Sequence, residues 1–237
     1  MSDLLLYDVV KGVIKSVVKV AYRIEAVGVE NFPEQGPVIV AANHQSFLDS
    51  IFIPVNLKRR MVYLAKAEYF DDWRYRWLYS RLGMIPLPRQ SRGRAEAALQ
   101  TAVGVLAEGG VLGVYPEGTR SPDGRVYRGR TGIGRLAHRS GAPVVPVGVS
   151  GSMKIMPKGA RFPRPIGKVT VTYGEPMTFE KYLGEPETPA VVRAITDEIM
   201  GRIVNLAGAG YVDEYASIGK GDSPSKEYSV PRDEMLG

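Results

Sequence analysis

The chain has no cysteine and only two histidines, His44 and His138. A disulfide scaffold, a cysteine nucleophile and a Cys/His zinc site are thereby excluded, no metal ligand set is expected, and the composition suits a reducing cytosol. The two tryptophans both fall at Trp73 and Trp77. No apolar run approaches the roughly 18–20 residues that a membrane span requires, and no internal repeat is visible. Acidic residues are the minority, 25 against 31 Lys and Arg, and the net +6 suits an anionic partner. Residues 213–237 hold six acids and three bases, so the preceding chain carries +9 and the basic character belongs to the folded body. With 237 residues and 44% hydrophobic content, the chain can bury one large core, which favours a single α/β domain over two small ones.

Apolar runs deliver polar residues to loops at several points. The run Pro37–Ala42 empties into Asn43-His44-Gln45-Ser46-Phe47-Leu48-Asp49, after which a helix is expected from about Phe47 to Leu57. In a continuous helix, residues five apart stand about 140° out of alignment, so His44 and Asp49 can meet only across a turn. Ser46, as an N-cap with Asp49 three residues on, supplies one. Two readings follow: a helix cap beside a hydrogen-bonded loop histidine, or an Asp49 that fixes the tautomer of a general base, His44.

Residues 1–23 separate at 100° per residue into an apolar half, with Val9, Val10, Val13, Ile14, Val17 and Val18, and a polar half carrying Lys11, Lys15 and Lys19. The lysines argue against a secretory signal. Such a helix either packs on the body or lies on an anionic lipid surface. The stretch 66–80 interleaves Trp and Tyr with Arg and has the same two readings, core or membrane boundary.

Further strands are expected at 61–65, 83–87, 111–115, 142–149 and 168–173, and helices over 95–108 and 190–206. Gly109-Gly110 stops the first helix. The strand at 111–115 runs directly into Pro116-Glu117-Gly118-Thr119-Arg120-Ser121, and six arginines against one acid between 120 and 139 concentrate positive potential near that loop. The reading is a solvated basic face or a phosphate site. The architecture expected is α/β: a mixed, mostly parallel sheet flanked by helices. It comprises an N-terminal amphipathic helix (1–23), an αβ domain (24–207) and a loosely held tail (208–237).

Four ordered blocks, Asn43-His44-x4-Asp49, Gly83-x-Ile85-Pro86-x2-Arg89, Tyr115-Pro116-Glu117-Gly118-Thr119-Arg120-Ser121 and Val144-Val145-Pro146-Val147, resemble those of the glycerophospholipid acyltransferases, in particular the 1-acyl-glycerol-3-phosphate acyltransferases. Lys66 and Met156-Pro157-Lys158-Gly159 fit the same pattern. Pro88 departs from it, since members often carry an acidic or polar residue before the arginine, and residues after about 207 match nothing in it. The resemblance implies transfer of a fatty acyl group from acyl-CoA or acyl carrier protein to the free hydroxyl of lysophosphatidic acid, giving phosphatidic acid, with no cofactor. It implies His44 as base and Asp49 as its partner, Arg89 and Arg120 on the acceptor phosphate, and Glu117, Gly118 and Thr119 in acceptor binding. It further implies a peripheral, monotopic enzyme on the cytoplasmic face of an anionic membrane.

Two other classes stay open on the residues. Gly148-Val149-Ser150-Gly151-Ser152 lacks only the last glycine of a serine hydrolase nucleophile elbow, although neither histidine follows Ser150. A non-enzymatic binder of anionic lipid or nucleic acid fits the basic pI of about 9.4, but gives no reason for a His-Asp pair beside basic loops, so no nucleic-acid partner is expected.

Overall fold

The computed structural model describes residues 21–65, 84–86, 93–165 and 167–216, together with Gly12, Ser16 and Val18. The strands are β1 (Tyr22–Val27), β2 (Val38–Ala42), β3 (Met61–Ala65), β4 (Met84–Pro86), β5 (Val111–Val114), β6 (Val126–Tyr127), β7 (Val144–Ser150), β8 (Gly167–Tyr173) and β9 (Tyr211–Val212). The helices are α1 (Asp49–Phe52), α2 (Arg94–Ala107), α3 (Gly132–Ser140), α4 (Ser152–Ile155) and α5 (Pro189–Ala207). Seven of these strands form one sheet in the order β1-β8-β7-β2-β5-β3-β4, parallel except where β7 meets β8. The expected mixed, mostly parallel α/β sheet is the observed one.

The central strands are apolar throughout because both faces of the sheet are covered. Along β2 the side chains alternate: Val38, Val40 and Ala42 enter the core shared with Phe52, Ile53, Val145 and Val147, while Ile39 and Ala41 enter the core shared with α2, α3 and α5. Gly148 lies where α5 crosses β7. A Cβ there would stand 2.2 Å from the backbone carbon of Leu206, so only glycine permits this approach. Helix α5 is bounded as its sequence dictates, with Thr188 Oγ1 accepting from the Val191 N–H, Pro189 in the first turn and Gly208 at φ 58°.

Several expectations are corrected. Tyr22 and Arg23, read as the end of the amphipathic helix, belong to β1. Their stretch alternates at period two and pairs with β8 from Tyr22↔Gly167 to Val27↔Thr172. Most of the rest of residues 1–23 lies outside the described residues; Gly12, Ser16, Val18 and Ala21 are helical, and Val18 is buried. The helix expected over 47–57 is broken into α1 and a 3-10 turn at Pro54–Asn56, because Pro54 brings no N–H to continue it. The arginine run contains an unexpected helix, α3. The tail is held at its start, since β9 pairs with β6 and the Val126 and Arg128 N–H groups donate to the Gly210 and Val212 carbonyls. The aromatic stretch 66–80, together with Arg89, lies outside the described residues.

Candidate active site

Because β2 and β5 are adjacent and parallel, with Ala41 opposite Val114, the chains leaving them emerge at the same sheet edge. That juxtaposition brings the Asn43–Asp49 loop against the Pro116–Ser121 loop. Asn43 ties the first loop down: its side chain donates to the Val149 carbonyl at 2.9 Å and accepts from the Val149 N–H at 2.7 Å. The second loop is joined to it at both ends. Glu117 Oε1 accepts from the His44 N–H at 2.9 Å, and the Ser121 N–H donates to the His44 carbonyl at 2.7 Å.

Asp49 is fully buried in the first turn of α1. Its Oδ2 accepts from the Gln45 N–H at 2.8 Å and the Ser46 N–H at 2.7 Å, and lies 3.0 Å from His44 Nδ1. Only half of the expected capping box forms, with Asp49 reaching back to the Ser46 amide. The Ser46 hydroxyl accepts from the Leu48 N–H at 3.2 Å rather than from the Asp49 N–H, and donates to the Met156 carbonyl at 2.8 Å. Capping and histidine support are therefore combined in one carboxylate. With Nδ1–H donated to Asp49, the lone pair of His44 is on Nε2. The His44 side chain keeps 16% of its surface exposed, whereas Asp49 is fully buried. Its ring stacks on Tyr115 with centroids 3.7 Å apart and planes 11° off parallel, and Tyr115 stacks on Tyr63 at 5.6 Å. Gly113 makes room for this column, since a Cβ there would fall 2.4 Å from the Tyr63 ring. The Tyr115 hydroxyl is hydrogen-bonded with Ser50 Oγ at 2.9 Å.

Glu117 is buried with both oxygens engaged, Oε2 accepting from the Tyr127 N–H at 3.0 Å. Burial, the strongest influence, pushes its carboxyl up to about 7 against the two N–H donors, which pull it down. Its geometry is that of a brace holding the two loops together. Gly118 turns the loop at φ 72° and is exposed, with the Arg130 side chain against it. Thr119 is buried and accepts from Lys158 Nζ at 3.3 Å, and Arg120 beside it is half-buried. The arginine run is less free than its composition suggests. Arg125 pairs with Asp123, Arg135 and Arg139 with Glu187, Arg139 also with Glu96, and Arg128 with Asp213 at 3.7 Å.

The structure thus gathers His44, Asp49, Glu117, Gly118, Thr119 and Arg120 at one edge. Sequence reasoning assigned no individual role to Tyr115, Gln45 or Lys158; the apolar strand running straight into the Pro-Glu-Gly loop was the available signal for Tyr115. Gln45 Nε2 donates to the Gly124 carbonyl at 2.8 Å, fixing the floor of the loop. The elbow-like Ser150 ends β7 half-buried. His138 sits on α3 with Nε2 3.1 Å from the Glu185 carbonyl, and Ser152 is fully buried, so none of the three completes a serine triad with an exposed nucleophile.

Fold and site define an α/β protein with a His–Asp pair and a glycine-bearing basic loop at the carboxyl edge of a mostly parallel sheet. The family model for the acyltransferases matches residues 23–150, more than half of the chain, and this chain belongs to that acyltransferase family. It is 33% identical over 157 residues to a chloroplastic 1-acyl-sn-glycerol-3-phosphate acyltransferase of Arabidopsis thaliana, a match covering 66% of this chain and 44% of the relative. A 1-acyl-sn-glycerol-3-phosphate acyltransferase of Bacillus subtilis is 26% identical over 206 residues, covering 85% and 96%. The crystal structure of the 1-acyl-sn-glycerophosphate acyltransferase of Thermotoga maritima superposes with a TM-score of 0.68 at 28% identity, covering 90% of this chain and 86% of that one. The chain spans about half the length of the chloroplast relatives.

Proposed function

We propose that this chain is a 1-acylglycerol-3-phosphate O-acyltransferase, moving a fatty acyl group from an acyl thioester to the free hydroxyl of lysophosphatidic acid and giving phosphatidic acid. The observation that carries the reading is the His44 ring held by Asp49 at 3.0 Å beside the Pro-Glu-Gly-Thr-Arg loop. The names of the relatives and the structural neighbour support the acceptor class.

In this scheme His44 Nε2 takes the proton from the acceptor hydroxyl as its oxygen attacks the thioester carbonyl. The buried carboxylate of Asp49 stabilises the imidazolium that forms, and its backbone contacts at Gln45 and Ser46 keep it aimed. Collapse of the tetrahedral species breaks the carbon–sulfur bond, and the imidazolium returns its proton to the departing thiolate of coenzyme A or acyl carrier protein. Arg120, and by resemblance Arg89, hold the acceptor phosphate through planar guanidinium forks. Gly118 and Thr119 shape that wall, and Glu117 acts on the acceptor indirectly by bracing it. The scheme draws on no group beyond the two substrates and the chain's own side chains.

The enzyme would work as a peripheral protein at the cytoplasmic face of an anionic membrane. The lysine stripe at Lys11, Lys15 and Lys19 supports this, and no helix among the described residues is long and apolar enough to cross a bilayer. Presenting lysophosphatidic acid, glycerol 3-phosphate and a lyso-glycolipid together with oleoyl-CoA, and identifying products by mass spectrometry, tests the reading. Phosphatidic acid is the expected product. Free fatty acid released without any acceptor would replace the reading with a hydrolase, and acylation of another acceptor would reassign the substrate.

A further inference from the structure

Between Lys154 and Lys168 the chain carries five bases and no acid. In the middle of this stretch stands Phe162, 74% exposed, the most exposed of the large hydrophobic side chains among the described residues. Arg161, Pro163, Arg164 and Pro165 around it are also exposed, and the Arg161 guanidinium lies over the Phe162 ring at 5.6 Å.

The tip is exposed but its base is anchored. The Arg164 N–H donates to the Ile155 carbonyl at 2.9 Å, the Ala160 N–H to the Pro157 carbonyl at 3.1 Å, and the Tyr22 hydroxyl to the Arg164 carbonyl at 3.0 Å. Two further contacts join the base to the candidate active site: Ser46 Oγ with the Met156 carbonyl, and Lys158 Nζ with Thr119 Oγ1. A loop pinned at both ends and tipped with one phenylalanine, whose Arg161 and Arg164 meet no carboxylate among the described residues, has no structural use for that ring in the core. An aromatic wedge with cationic flanks matches the acyl boundary and the anionic headgroups of a bilayer.

We propose that the Lys158–Pro165 loop is a membrane-docking element, with Phe162 entering the interface of an anionic bilayer and Arg161 and Arg164 on its headgroups. It sets the rim of the active site on the surface from which a lipid acceptor is drawn. The proposal rests on the reading of the chain as an enzyme of membrane lipids.

The absence of cysteine makes the test specific. Phe162→Cys in the full chain takes a single environment-sensitive fluorophore, and Leu183→Cys, at a position 52% exposed, provides the control. With vesicles of phosphatidylglycerol and phosphatidylcholine, the label at 162 brightens, shifts to the blue and is quenched by spin-labelled lipid, whereas the label at 183 does not respond. Arg161→Glu with Arg164→Glu lowers the vesicle partition coefficient by on the order of tenfold or more, while turnover of short-chain, water-soluble substrates stays at the wild-type level. Vesicle binding with a silent label at 162, or no vesicle binding at all, overturns the proposal. Neither result touches the activity reading, which the water-soluble substrates test separately.

Discussion

Replacing Glu117 with Gln separates the two things its side chain does. Each carboxylate oxygen accepts one backbone N–H, from His44 and from Tyr127. Glutamine keeps one acceptor and turns its NH2 toward the other donor, leaving a buried N–H unpaired at a cost of about 1–3 kcal/mol at any pH. Against this, glutamine carries no charge to bury. In the wild type, burial raises the carboxyl from 4.5 to about 7, so the folded chain holds this proton more tightly than the unfolded chain. The resulting stabilisation is fully present below pH 4.5 and is lost as pH rises through 7. Integrated between pH 5 and pH 8, at 1.36 kcal/mol per pH unit, it amounts to roughly 2–3 kcal/mol. The variant lacks that dependence, and the other titrating groups cancel in the difference between the two proteins. Urea denaturation at pH 5, 6, 7 and 8 should therefore show the wild type's advantage over Glu117→Gln shrinking by roughly 2–3 kcal/mol across the series. An advantage that is flat, or that grows with pH, would refute the reasoning that desolvation outweighs the two N–H donors.

Other perturbations address the remaining contacts. Asp49→Ala strips the acceptor from two backbone N–H groups and should lower the unfolding free energy by about 2–6 kcal/mol, read from urea curves. Asp49→Asn keeps an acceptor oxygen, so it should stay folded yet lose at least about tenfold in turnover because it removes the charge facing an imidazolium; a full rate would leave Asp49 as a cap alone. Gly148→Ala drives a Cβ into the Leu206–Ala207 backbone and should cost about 3 kcal/mol or more, seen as a collapse of the melting temperature. Arg120→Ala should raise KM for the phosphorylated acceptor about tenfold with the donor KM unchanged; an equal loss on an acceptor lacking phosphate would remove that role. Lys11→Glu, Lys15→Glu and Lys19→Glu together should release the chain from anionic vesicles, at about 1 kcal/mol per basic residue.

The order of strands and helices was legible wherever a residue pattern had one interpretation. The apolar runs of β2, β5 and β7 read as buried strands, and the helix expected over 190–206 is α5, Pro189–Ala207. Boundaries failed where local pattern and tertiary pairing competed. Tyr22 and Arg23 continue a helical stripe in sequence, yet β8 offers a strand partner that captures them. The Arg128–Arg139 segment read as a solvated basic face or a phosphate site because its charges outnumber its apolar residues. Ile133, Leu136 and Ala137, spaced three and four apart, are nonetheless buried, and Glu187 and Glu96, distant in sequence, neutralise the arginines that follow. At the site, His44 and Asp49 could be paired from their spacing and one turn. The inward turn of Glu117 could not be foreseen, because it depends on β2 and β5, distant in sequence, lying side by side in the sheet rather than on neighbouring residues. The stacking of Tyr115 on His44 is hidden for the same reason.

The role of His44 is open to one decisive reading: steady-state turnover of lysophosphatidic acid and acyl-CoA by wild type and His44→Ala, with folding checked by melting curves and substrate binding by calorimetry. Loss of a general base should reduce turnover by on the order of 10²–10⁴ while the variant melts with the wild type and binds both substrates. Turnover within about threefold of wild type, in a folded variant that binds both substrates, would contradict general-base catalysis by His44.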